Sequence, residues 1–112
     1  HCEHLVLNID TSVGIGLIIN EVVTNAIKYA FDDKQASKII TLKMQYKDMH
    51  QIMLEIYDNG KGAEDEVKKG FGMKLIRRLV NDQLNGSIVC THDKGFYYKI
   101  LIPISQEYSI TS

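Results

Sequence analysis

The sequence predicts an α+β domain, a two-layer sandwich whose mixed, mostly antiparallel sheet carries its helices on one face. Three observations lead there. Two amphipathic stretches, residues 13–29 and 70–84, have helical spacing, and each is followed by a pair of strand-like runs. The members of each pair are separated only by short turns, residues 47–50 and 93–95, so each pair reads as an antiparallel hairpin. The runs also alternate apolar with polar residues, as strands covered on one side do.

Taken in order, residues 5–9 alternate weakly and read as a short strand. Asp10, Thr11 and Ser12 offer N-cap oxygens for a helix over about 13–29, although Gly14 and Gly16 weaken its first turn. Leu17, Ile18, Val22, Ala26, Ile27 and Ala30 form its apolar side. Residues 31–37 are a polar loop. Residues 38–46 alternate Ile, Leu and Met with Thr and Lys, and 51–57 form the second strand of the first hairpin. After Asp58-Asn59-Gly60-Lys61-Gly62 comes a charged loop, 63–69, and a second helix to about Leu84 with Ile76, Leu79, Val80 and Gln83/Leu84 inward. Asn85-Gly86 stops that helix. Strands 87–91 and 96–102 follow, and Pro103 ends the sheet.

At 112 residues the chain suits one domain, spanning 1–112. A hydrophobic content of 45% is enough for a core, and a net charge of −1 offers no general field for nucleic acid or an anionic membrane, so any anion site must be local. No apolar run approaches the roughly 18 residues of a membrane span, and no signal peptide is visible, so no direct membrane contact is expected. Cys2 and Cys90 are too few for a disulfide framework, and Cys90, in an apolar run, reads as a buried thiol in a reducing, hence cytoplasmic, compartment. The chain begins with His1, and a piece of a longer protein is the expectation.

Three patches carry chemistry. Glu21, Asn25 and Lys28, spaced i, i+4, i+7, fall on one line of the first helix. An amide oxygen such as that of Asn25 is a reasonable single protein ligand for Mg²⁺. Glu21, a turn earlier, could orient or deprotonate a nucleophile, and Lys28, a turn later, could reach a phosphate. The bland alternative is a solvated face. In Asp58-Asn59-Gly60-Lys61-Gly62, an acid ending a strand could accept from an exocyclic amine, and the two glycines admit a flat ligand; the alternative is a tight Asn-Gly turn. In Gly70-Phe71-Gly72-Met73-Lys74, glycines opening a helix leave N–H groups for an anion, with Lys74 adding charge; the alternative is a hinge. The third glycine and distal acid of a dinucleotide fingerprint are missing.

Together, "NEVVTNAIKYAF", "DNGKG" and "GFGMKLIRRLV…LNGSI" resemble the N, G1 and G2 boxes of the catalytic and ATP-binding domain of sensor histidine kinases, in the GHKL superfamily with gyrase B and the mismatch-repair ATPases. The resemblance runs from about Thr11 to Pro103, and the Glu-led N box is similar to that of particular subfamilies. It implies the Bergerat ATP-binding fold, with ATP and Mg²⁺. It further implies that Asn25 holds Mg²⁺, Glu21 is the polar or general-base residue, Lys28 contacts phosphate and Tyr29 flanks the base or sugar. Asp58 would accept from the adenine amine, with Gly60 and Gly62 shaping the pocket. Gly70, Gly72, Met73 and Lys74 would close over the phosphates. The implied partners are the protein's own upstream helical dimerisation domain, with its phosphoacceptor histidine, and a response-regulator receiver domain; alone, this piece is not expected to phosphorylate itself. The full protein could be membrane-anchored.

The sequence departs from that pattern in places. Residues 63–69 are short for the family's ATP lid, with no clear phenylalanine box. Where such domains often carry Gly-Thr-x-Phe, this chain has Gly95-Phe96-Tyr97-Tyr98, without the threonine that supports the adenine-binding acid. None of His1, His4, His50 and His92 has the setting of a phosphoacceptor. A serine kinase of the anti-sigma-factor type and a degenerate nucleotide-binding scaffold therefore stand as alternatives. "HCEH" at residues 1–4 is a poor zinc motif, and Phe96-Tyr97-Tyr98, without a basic stripe, reads as strand packing in preference to base stacking.

Overall fold

A computed structural model describes residues 7–30, 36–60, 73–92 and 95–104. The first helix, α1, is Ile9–Asn25 and runs on as a π turn, Ala26–Ala30. Strands β1 (Ile40–Asp48) and β2 (Gln51–Asp58) follow, then α2 (Met73–Arg78) with its own π turn, Leu79–Gln83, and finally β3 (Ser87–His92) and β4 (Phe96–Pro103). The four strands form one sheet in the order β1-β2-β4-β3, every neighbouring pair antiparallel.

Helix α1 starts four residues earlier than expected. Asn8, not Asp10, Thr11 or Ser12, is the N-cap: its side-chain oxygen accepts from Thr11 N–H at 2.8 Å. Ile9 therefore belongs to the helix, and Leu7 and Asn8 are not strand; residues 5 and 6 of the expected first strand lie outside the described residues. The cap leaves Asp10 in the first turn, where a carboxylate suits the helix dipole. Gly14 is where α1 meets the second helix, because a Cβ there would stand 2.6 Å from Leu84 Cδ2.

Alternation sorts the sheet into two faces. Ile52, Leu54 and Ile56 of β2 and Tyr98, Ile100 and Ile102 of β4 are buried against Ile15, Ile18 and Val22 of α1 and Ile76, Leu79, Val80 and Leu84 of the second helix. The expected apolar side of α1 needs correction. Leu17 is 45% and Ile27 68% exposed, because the buried stripe runs through Ile15, Ile18, Val22 and Ala26 and these two lie beside it. Gln83 is exposed, and Leu84 takes the inward position. Leu42 shares the helix-covered face yet stays 46% exposed, since β1 is the edge strand.

The turns end the elements where the sequence places breakers. Asp48 Oδ1 accepts from His50 N–H at 2.7 Å in the β1–β2 turn, beside a register shift between Tyr46 and Asp48. Asn85 takes φ 56°, and Gly86 N–H returns to Val80 O at 2.8 Å, closing the second helix. No helix among the described residues is long and apolar enough to cross a membrane.

Candidate nucleotide site

Asp58, Gly60 and the start of β4 meet at one end of the sheet. Asp58 is the last residue of β2, on the helix-covered face because it follows Ile56 by two. Its Oδ1 accepts two backbone hydrogen bonds, from Gly60 N–H at 2.8 Å and from Phe96 N–H at 3.2 Å. The first is an Asx turn within the motif; the second crosses from the start of β4. Oδ2 takes no hydrogen bond from the described residues. Among the described residues the carboxylate is thus held at one oxygen only.

The Asn-Gly step is not a hairpin. Asn59 Oδ1 accepts from Ile39 N–H at 2.8 Å, its Nδ2 donates to Ser37 O at 3.0 Å, and its own N–H donates to Ile39 O at 3.2 Å. This amide straps the entry of β1 to the exit of β2. Sequence reasoning gave Asn59 only a place in a tight Asn-Gly turn; its partners are backbone groups about twenty residues away, invisible to motif spacing. Gly60 is buried beside Asp58, while Gly62, Gly70 and Gly72 lie outside the described residues, as does the loop 63–69.

On α1, Glu21 and Asn25 are half-buried and one turn apart, on the expected line. The expectation for Lys28 assumed α geometry, but after Asn25 the winding is π, with i→i+5 closure, so Lys28 leaves that line; it is exposed. Of Tyr29 only the backbone, within the π turn, is described. Met73 opens α2, half-buried against the core, and Lys74 is exposed in its first turn.

Two aromatic side chains of β4 lie near Asp58. Phe96 and Tyr98, two apart on the same face, stack with centroids 5.9 Å apart and planes at 15°. Cys90 pairs with Tyr98 across β3–β4. Burial pushes the Cys90 thiol above its ordinary pKa; the Arg77 guanidinium opposes this and the Asp58 carboxylate adds to it. Burial likewise raises Tyr98, helped by Cys90 and Asp58. Tyr97 points the other way, onto the open face, where it donates to Glu55 and packs at 6.2 Å against Tyr57. Lys43, Glu55, Tyr57 and Tyr97 line a cavity of about 400 Å³ reaching Asp58 from that side. A larger one, about 710 Å³, lies at the opposite end of the sheet beside Asn8, Gln83 and Pro103 and holds none of the candidate residues.

Residues 10–106 match the family described as histidine kinase-, DNA gyrase B-, and HSP90-like ATPase. The chain is 29% identical over 103 residues to blue-light-activated histidine kinase 2 of Erythrobacter litoralis, covering 88% of this chain and 30% of that protein. It is 33% identical over 111 residues to the sensor histidine kinase YdfH of Bacillus subtilis, covering 93% of this chain and 26% of that protein. Among solved structures it is similar to the Erythrobacter litoralis EL346 blue-light-activated histidine kinase, with a TM-score of 0.79, 28% identity, and coverage of 96% of this chain and 35% of that one. The chain thus spans about a third or less of these proteins' length.

Proposed function

The chain belongs to the family of histidine kinase-, DNA gyrase B- and HSP90-like ATPases, and from that premise we propose that it is the ATP-binding catalytic domain of a sensor histidine kinase. In this reading it binds Mg-ATP and passes the γ-phosphoryl group to a histidine on a separate helical dimerisation domain, from which a response-regulator receiver domain is served. The observation that carries it is the Asp58 carboxylate, held at Oδ1 by two backbone donors on the helix-covered face. Such an acceptor fits the exocyclic amine of adenine. That the relatives are named histidine kinases favours this reading over a serine kinase.

Residues on α1 would act at the phosphate end. No group of three or more His, Cys, Asp or Glu among the described residues forms a dedicated metal cage. The half-buried Asn25 amide oxygen is the hard, single ligand that suits Mg²⁺ sharing its other positions with phosphates and water. When bound, the ion supplies charge neutralisation at the phosphates. Glu21 would hold the attacking imidazole and take its N–H proton as the new N–P bond forms and the bond to the β,γ-bridging oxygen breaks, releasing ADP. Lys28 and Lys74, both exposed, are free to turn toward phosphate, with Gly70, Gly72 and Met73 at the closing segment. Tyr29 would flank the base or sugar, and Gly60 and Gly62 would floor the adenine pocket.

Calorimetric titration with Mg-ATP tests this. The wild-type chain should bind, and Asp58→Ala should weaken binding by about tenfold or more, the cost of losing a hydrogen bond from a partly buried group. No binding by the wild type would leave the chain a nucleotide-free scaffold of the same fold.

A further inference from the structure

The threonine expected beside the adenine acid is missing, yet Asp58 is not left loose. Its Oδ1 is held from β4 by the backbone N–H of Phe96 at 3.2 Å. That contact depends on how closely the β3–β4 turn approaches β2. Gly95 is buried and has φ +134°, a conformation side chains rarely adopt. A Cβ on Gly95 would stand 2.4 Å from Asp58 O and 3.1 Å from Asp58 Oδ1. Both the backbone and the carboxylate of Asp58 occupy the space that any other residue would fill.

Resting on the ATP-binding reading above, we infer that Gly95 is the positioning residue of the adenine subsite, letting the Phe96 N–H, with that of Gly60, fix which oxygen of Asp58 faces the base. Two N–H donors converge on Oδ1. Oδ1 must therefore remain an acceptor, and Oδ2 is the atom presented to the ligand. The arrangement sets base specificity. A carboxylate oxygen accepts from the 6-amino group of adenine but repels the 6-oxo group of hypoxanthine. If Asp58 becomes Asn, the amide oxygen has to take the Oδ1 place, since N–H groups cannot donate to an NH₂. The NH₂ then faces the base and favours the 6-oxo group.

The experiment is a matched titration of the protein with ATP and with inosine triphosphate, for wild type, Gly95→Ala and Asp58→Asn. Gly95→Ala should lose about tenfold or more in ATP affinity while its affinity for inosine triphosphate changes by less than about threefold, because only the oriented acceptor is lost. Asp58→Asn, which adds no bulk, should invert the preference so that inosine triphosphate binds more tightly than ATP. Equal losses for both nucleotides in a folded Gly95→Ala protein would assign Gly95 a merely structural role and overturn the inference. So would an Asp58→Asn protein that keeps the wild-type preference for ATP, and this arm decides the matter if Gly95→Ala does not fold. A wild type that binds neither nucleotide would fail the ATP-binding reading itself, and the inference with it.

Discussion

Asn25 is one member of the polar line on α1, and its proposed duty is narrow. In the proposed reading it holds Mg²⁺ and not the base, so its loss should separate the two. Asn25→Ala should bind ATP in the absence of Mg²⁺ about as the wild type does, but gain little when Mg²⁺ is added; titrations with and without the ion measure it. An undiminished Mg²⁺ effect would move the ligand role to another residue. Protonation is the other residue-level test. Burial raises Cys90 from 9.0 and Tyr98 from 10.0 in the folded chain. The unfolded chain then releases these protons first as the pH rises, so their contribution is full below about pH 9 and is lost on the alkaline side, through and beyond pH 10. Chemical denaturation at pH 7.5, 9 and 10.5 should show falling stability, and Cys90→Ser/Tyr98→Phe should flatten the slope.

Each helix is stabilised by a narrow stripe laid on the sheet. For α1 the centre of that stripe is Ile18, fully buried among sheet and helix residues. Ile18→Ala should cost about 2–5 kcal/mol in urea unfolding, with Leu17→Ala, on the exposed side, costing far less. Similar costs at both positions would mean that α1 is covered on two sides. These elements were largely legible in the sequence, because apolar spacing reports which face is buried and Asn85-Gly86 or Pro103 reports where an element stops. Boundaries were less so. Asn8 was passed over as a cap because Asp10, Thr11 and Ser12 offer the same chemistry two to four residues later. Leu17 and Ile27 were assigned inward because hydrophobicity alone cannot tell the stripe from its margin. The π turn after Asn25, which turns Lys28 off the Glu21–Asn25 line, has no signature in residue type.

Across the whole molecule, the sheet order β1-β2-β4-β3 brings the end of β2 beside the start of β4. That pairing joins Asp58 to Gly95-Phe96, thirty-eight positions apart at Asp58 and Phe96. Asp58 itself was legible from its motif. Its support was not, because the supporting groups are backbone N–H donors: the side chains of Gly95 and Phe96 advertise no hydrogen bond, and a reading by residue type registers only a missing threonine. The same holds for the Asn59 strap. The helical domain that would supply a phosphoacceptor histidine must, in the proposed reaction, meet the α1 end of this site, and the chain alone should not label itself.

Single-turnover transfer from γ-labelled ATP to a separately supplied helical dimerisation domain follows from this directly, run at saturating nucleotide with wild type and Glu21→Gln. The wild-type chain should place an acid-labile, nitrogen-linked phosphoryl group on the helical domain and none on itself. Glu21→Gln should bind ATP as before and transfer about 10²–10⁴-fold more slowly, the range for loss of a general base. Label on a serine, or no label on any partner domain despite tight ATP binding, would contradict the histidine-kinase account.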